Sequence, residues 1–213
     1  MNSGEKKTRQ VGQVAPVIVV SGLPRSGTSM AMKMLEAGGV PIFTDRLRVA
    51  DEDNPNGYYE LERVKNLGKE TDFSWLSEAE GKAIKIVSHL IRSLPGMFRY
   101  KVVFLNRAVG EVVASQNKML SRGGKKWDPS MDQRVAALFE QHLREVKTWM
   151  ESQPNLEVLQ LNYAEVVTNP EAEAERMSGF LGLDLDWKEM ARAVDPGLYR
   201  NRLGLKDGAV AAG

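Results

Sequence analysis

With 213 residues, the chain is long enough for one α/β domain with a full hydrophobic core. It has no cysteine and only two histidines, which excludes disulfides, a thiol nucleophile and a histidine-rich metal site, and which fits a reducing compartment such as the cytoplasm. A formal net charge of +1 gives no reason to expect a nucleic acid or a membrane surface as a partner.

Apolar and amphipathic runs alternate along the chain. Four short apolar runs predict parallel β-strands, at residues 17–21, 83–87, 101–106 and 156–161. Amphipathic stretches predict helices at residues 28–37, 109–120, 131–150 and 171–181, with a weaker helical pair across residues 61–79. This alternation favours an α/β fold of the P-loop nucleotide-binding type, with a single parallel sheet flanked by helices. The expected domain covers residues 15–205, between disordered tails at 1–14 and 206–213.

A glycine-rich loop, Gly-Leu-Pro-Arg-Ser-Gly-Thr-Ser at residues 22–29, joins the first predicted strand to the first helix. In that position, backbone N–H groups and a helix N-terminus can cradle an anion. The spacing copies the nucleotide-binding P-loop, but Thr28 stands in the place of its lysine, and the cation of the loop is Arg25. Because that lysine serves the outer phosphates of a magnesium-bound nucleoside triphosphate, the loop indicates phosphate binding without ordinary ATP or GTP hydrolysis.

Other polar residues follow the carboxyl ends of the predicted strands, where open α/β sheets bind their ligands. They are His89 after the second strand, Arg107 after the third and Tyr163 after the fourth. Arg107 and Ser115, which is in the next helix, could grip one phosphate, or could be a surface arginine and a solvent-facing serine. Two separate anion sites would suit a nucleotide with phosphates at both ends of its ribose.

At these motifs the chain resembles the sulfotransferase superfamily, which uses 3′-phosphoadenosine 5′-phosphosulfate (PAPS). Residues 24–29 are similar to the family's 5′-phosphosulfate loop, and Arg107 and Ser115 match its 3′-phosphate pair in type and spacing. Residues 85–95 resemble the segment that carries the catalytic histidine, and residues 161–182 resemble a late stretch that ends in Phe-Leu-Gly. The similarity is closest to short bacterial members of the family.

The resemblance implies an enzyme that moves a sulfuryl group from PAPS to a hydroxyl or amine of a small-molecule acceptor, leaving 3′-phosphoadenosine 5′-phosphate (PAP) and requiring no metal. The donor site that it implies consists of Arg25, Ser26, Gly27, Thr28, Ser29, Arg107, Ser115 and Tyr163. Tyr163 would meet the adenine, with a packing role as the alternative. Arg25 and Lys85 would stabilise charge on the sulfuryl and bridging oxygens; the alternative for Lys85 is a strand lysine whose stem covers apolar surface.

The acceptor needs a base, and two residues are candidates. His89 follows a strand end, and a histidine side chain titrates near neutral pH. Glu60 is the rival, because some family members use a glutamate from the region after the phosphosulfate loop. Near the C-terminus, Arg200 and Arg202 could add cations to the nucleotide site or form a solvated face.

Two other classes of protein remain open. The first is a P-loop kinase or nucleoside triphosphatase, which is disfavoured by Thr28 in the lysine position and by the lack of an apolar strand that ends in a magnesium-binding aspartate. The second is a catalytically silent nucleotide-binding protein that has kept the fold, since a fold does not secure a function.

Overall fold

The structure is a computed structural model that describes residues 14–47, 57–124 and 128–199. Its strands are β1 (Val17–Gly22), β2 (Ala83–Lys85), β3 (Tyr100–Asn106) and β4 (Leu156–Asn162). They form one parallel sheet in the order β2-β1-β3-β4, which confirms the predicted fold class. Apart from residue 14, the expected tails lie outside the described residues, and so do Arg200 and Arg202.

Six α-helices surround the sheet in the described part of the chain. They are α1 (Thr28–Ala37), α2 (Val109–Arg122), α3 (Asp132–Glu151), α4 (Tyr163–Thr168), α5 (Pro170–Leu181) and α6 (Trp187–Arg192). The short helices α4 and α6 have too few turns to produce a clear helical period in the sequence. None of the helices in the described ranges combines the length and the apolar character that a membrane crossing needs.

Two predicted elements differ from the structure. Residues 61–79 form two 3₁₀ helices, Glu62–Lys69 and Ser74–Ala79. The first buries only Val64 and Leu67, too little apolar surface to anchor an α-helix. The second strand ends at Lys85 rather than at residue 87. β2 is the last strand in the sheet order on its side, and apart from one bridge between Ala83 and Ile42 it pairs with β1. Beyond Lys85, backbone N–H groups of Ile86 and Ser88 still donate hydrogen bonds to carbonyl oxygens of β1, although these residues are no longer in strand conformation.

The sheet separates two hydrophobic cores, and β1 contributes to both. Ile18 and Val20 point into the core formed with α1, α4, α5 and α6, whereas Val17 and Val19 point into the core formed with α3 and the 3₁₀ helices. Alternation of side chains along a strand produces this division. Since helices cover both faces, the strand reads in the sequence as an unbroken apolar run.

The order of the strands decides where a ligand can bind. β1 has β2 on one side and β3 on the other, so the connections diverge between β1 and β3 and leave a crevice at the carboxyl ends of these strands. Gly22 at the end of β1 pairs with Leu105, and this register brings the glycine-rich loop beside Arg107. A Cβ atom at Gly22 would lie 2.7 Å from the Leu105 carbonyl oxygen, so only glycine allows this close pairing.

Leu35→Ala is expected to destabilise the protein by about 2–5 kcal/mol, because it leaves a cavity beneath a helix. Leu35 is fully buried in α1, whereas Leu138 in α3 is 57% exposed and serves as the matched control. We expect Leu138→Ala to change the free energy of unfolding by less than about 0.5 kcal/mol, as measured by urea titration. Equal losses in the two variants would contradict the described packing of α1.

Candidate active site

The glycine-rich loop wraps around the N-terminus of α1. Arg25 and Gly27 have positive φ angles of 73° and 100°, and these turn the chain from β1 into the helix. No side chain caps α1, and its first turn has no acidic residue, so its N–H groups face the loop. The Ser26 hydroxyl oxygen is buried without a hydrogen-bond partner among the described residues. An uncapped helix end beside an unsatisfied buried hydroxyl fits an anion.

The loop contacts both residues of the predicted second anion site. Arg25 Nε donates a hydrogen bond to Ser115 Oγ at 3.0 Å, and Arg107 Nη1 donates to the Arg25 carbonyl oxygen at 3.2 Å. Ser115 therefore pairs with the loop arginine in this structure. The structure thus brings three of the sequence-predicted residues, from the loop, the end of β3 and helix α2, into one cluster.

Arg107 also pairs with a carboxylate that the sequence analysis missed. Its Nε atom donates to Glu111 Oε2 at 2.9 Å, and both side chains are buried. The hydroxyl of Tyr199 donates to the other oxygen of Glu111 at 3.0 Å. The spacing of Arg107 and Glu111, four residues apart at the start of a helix, was an available signal for this pair. No local signal pointed to Tyr199, which lies 88 residues further along the chain.

Tyr163 packs beneath this cluster. Only 4% of the residue is exposed, and the Arg107 guanidinium carbon lies 4.3 Å from the centre of its ring. The ring also packs against Gly27, and Tyr199 meets it edge-on at 5.0 Å between centroids. Little of the Tyr163 ring is thus exposed for an adenine base to stack on.

Lys85 reaches from the end of β2 to the N-terminus of α1. Its Nζ atom lies 3.4 Å from Ser29 Oγ, donates to the Tyr58 carbonyl oxygen and is 3.6 Å from Glu60 Oε1. The lysine side chain is 6% exposed and that of Glu60 is 29% exposed. Two of the predicted catalytic residues therefore form an ion pair beside the loop.

His89 lies in the turn after β2, where it is exposed beside His142. His142 Nε2 and Ser88 Oγ are 2.9 Å apart, within hydrogen-bonding distance. Burial lowers the pKa of His142, and the neighbouring Arg92 and His89 side chains lower it further. The described residues contain no group of three or more histidine, aspartate or glutamate side chains placed to hold a metal ion.

A family model described as the sulfotransferase family matches residues 74–189, more than half of the chain. The chain belongs to the sulfotransferase family. The matched segment contains Lys85, Arg107, Ser115 and Tyr163, while the loop at residues 22–29 lies before it. The family confirms the resemblance found in the motifs and supports sulfotransferase activity in general.

Two solved structures share the fold of this sulfotransferase. The sulfotransferase domain from the Synechococcus PCC 7002 olefin synthase is 16% identical over 97% of this chain and 94% of that chain, with a TM-score of 0.54. Sulfotransferase STF1 from Mycobacterium tuberculosis H37Rv is 16% identical over 85% of this chain and 71% of that chain, with a TM-score of 0.55. No curated protein sequence matches the chain.

Gly27→Ala is expected to destabilise the protein more than Gly39→Ala, the matched control. Both glycines have left-handed φ angles, +100° and +94°, so alanine strains both. A Cβ atom at Gly27 would lie 2.4 Å from Tyr163 Cδ2, whereas no described atom lies within 4 Å of one at Gly39. Overpacking should add about 1–3 kcal/mol to the loss at Gly27. Urea unfolding measures both, and equal losses would contradict the packing of Tyr163 on the loop.

Proposed function

We propose that this protein transfers a sulfuryl group from PAPS to a hydroxyl or amine of a small-molecule acceptor. The observation that carries the proposal is the cluster at the carboxyl ends of β1 and β3. There a P-loop-like turn, with Thr28 in the lysine position and Arg25 as its cation, contacts Arg107. An uncapped helix N-terminus and the unsatisfied Ser26 hydroxyl support an anion site there.

The residues present fit the two charged ends of the donor. Arg25 and the backbone N–H groups of residues 27–29 would hold the 5′-phosphosulfate, and Arg107 would hold the 3′-phosphate. Ser115, which accepts a hydrogen bond from Arg25 Nε, would join Arg107 at the 3′-phosphate. PAPS supplies the activated sulfuryl group and a phosphate leaving group that is stable as an anion.

Fixed cations can provide the electrostatic part of this reaction. The transferred group carries less charge than a phosphoryl group, so arginine, lysine and backbone N–H groups suffice to stabilise it. Lys85 is suited to this role because it is buried beside Ser29, where weak solvent screening strengthens its field. Arg25 would stabilise the charge that develops on the leaving phosphate.

Glu60 is the base that the geometry favours for the acceptor. Its carboxylate lies 3.6 Å from Lys85 Nζ, and that lysine contacts Ser29 at the start of α1, so the carboxylate borders the proposed sulfuryl site. A general base must lie within reach of the proton that it removes. His89 is the alternative base, from the exposed turn that follows β2.

Arg25→Ala should lower the rate of sulfuryl transfer by at least about a hundredfold, because it removes a charged donor aimed at the reacting group. The assay uses ³⁵S-labelled PAPS with a panel of a phenol, an aliphatic alcohol and a primary amine. Arg99→Ala is the matched control, since Arg99 is exposed and precedes β3, at the amino ends of the strands rather than at the carboxyl ends where the loop lies. Unchanged turnover in Arg25→Ala would refute the assignment of the loop to the donor.

Binding and activity measurements on the same purified protein distinguish a sulfotransferase from the two alternatives, a silent nucleotide-binding protein and a P-loop kinase or triphosphatase. A sulfotransferase should bind PAP without Mg²⁺, as measured by calorimetry, and should label an acceptor. Binding of PAP without any labelled product, even when a cell extract supplies acceptors, would favour a silent nucleotide-binding protein. Phosphate release from ATP that requires Mg²⁺ would favour a kinase or triphosphatase.

Glu60→Gln should lower kcat by about 10²–10⁴-fold while the KM for PAPS changes little, because loss of a general base affects proton transfer rather than donor binding. Glu62→Gln is the matched control, an exposed neighbour on the same segment. His89→Gln should retain nearly full turnover. A crippled His89→Gln beside an active Glu60→Gln would move the role to the histidine, and full activity in both would mean that the acceptor needs no protein base.

A further inference from the structure

Glu111 is a buried carboxylate that the proposed transfer does not use. It lies in the first turn of α2, four residues after Arg107, and is 5% exposed. Burying an ionised carboxylate costs several kcal/mol unless it is paired and hydrogen-bonded. Both of its oxygens have partners, Arg107 Nε at 2.9 Å and the Tyr199 hydroxyl at 3.0 Å.

These contacts restrain Arg107 on several sides. Glu111 holds the Nε edge of the guanidinium, while Nη1 donates to the Arg25 carbonyl oxygen. The guanidinium also lies over the Tyr163 ring at 4.3 Å and near the Tyr199 ring at 5.4 Å. A guanidinium is a planar fork whose usefulness for binding phosphate depends on its orientation. The carboxylate that accepts from Nε therefore sets the direction of the fork.

Tyr199 makes the cluster more rigid. Its hydroxyl is bound by Glu111, and its ring meets Tyr163 edge-on, so one carboxylate connects the start of α2 to the last described residue of the chain. A polar network in which each member has a partner fixes the geometry of all its members.

We propose that Glu111 is a positioning residue for the donor nucleotide, which orients Arg107 through its Nε atom toward the 3′-phosphate. This inference rests on the proposed function. It assigns to Glu111 the role of setting the position and orientation of the Arg107 guanidinium, as distinct from simply neutralising the charge of a buried arginine. Positioning requires the length of the glutamate side chain, whereas neutralisation requires its charge.

Two conservative variants separate these roles. Glu111→Gln keeps the length of the side chain and an oxygen that accepts from Arg107 Nε, but it loses the charge. Glu111→Asp keeps the charge but is shorter by one methylene, so it pulls Arg107 out of position. Positioning predicts that Gln preserves function and Asp does not, whereas neutralisation predicts the reverse order.

The experiment is calorimetric titration of the full chain with PAP and with adenosine 5′-phosphate, without Mg²⁺. The measured quantity is the preference for PAP, the ratio of the two dissociation constants. We expect Arg107→Ala to lower this preference about tenfold or more. Glu111→Asp should lower it about threefold or more, Glu111→Gln should keep it within about twofold, and Glu111→Asp should have no further effect in the Arg107→Ala background.

Glu173→Asp provides a matched control, because Glu173 is also a buried carboxylate that pairs with an arginine, Arg176, but in α5. It should leave the preference unchanged. The inference is overturned if Glu111→Asp weakens binding of both ligands by the same factor, if Gln is the more damaging substitution, or if the effects of Asp and Arg107→Ala add. A wild-type protein that binds the two ligands equally would overturn the proposed 3′-phosphate site itself, together with this inference.

Discussion

The site depends on the parallel pairing of β1 with β3. Six residues of β1 pair in register with Tyr100–Leu105, and both strands are buried between two helical layers. Because this pairing is continuous up to Gly22, the chain must turn sharply at the end of β1, and its loop comes to lie against the residues that follow β3. The hydrogen bond from Arg107 to the Arg25 carbonyl oxygen is a direct result of that register.

Charge balance is the second constraint on this site. Lys85 and Arg107 are both buried, and a buried cation is costly unless a carboxylate or several hydrogen bonds accompany it. Each has a carboxylate partner, Glu60 for the lysine and Glu111 for the arginine. These acids keep the cations in place before any ligand arrives, at the cost of some of the attraction that the cations exert on an anion. The arrangement suits a site that needs fixed direction more than maximal positive potential.

Local patterns predicted most of the scaffold. The apolar runs of β1 and β3 and the long amphipathic patterns of α2 and α3 are strong signals of secondary structure, since each reflects a strand or helix that packs a continuous face against the rest of the protein. The segment from residue 61 to residue 79 was less predictable, because its apolar residues are few and its 3₁₀ helices depend on packing against the sheet. The position of β2 at the end of the strand order depends on how the sheet assembles, which the sequence of the strand does not contain.

The sequence by itself determined the glycine-rich loop, the substitution of Thr28 for a lysine, and the family, because each depends on residue types at short fixed spacings. It also identified Arg25, Lys85, Glu60, Arg107 and Ser115 as candidates. Only the tertiary structure decided which of them meet: Ser115 binds Arg25, Lys85 pairs with Glu60, and Glu111 joins Arg107 to Tyr199. Most of these contacts join residues far apart in the chain, which are brought together by sheet order and helix packing, and such contacts leave no period or spacing in the sequence.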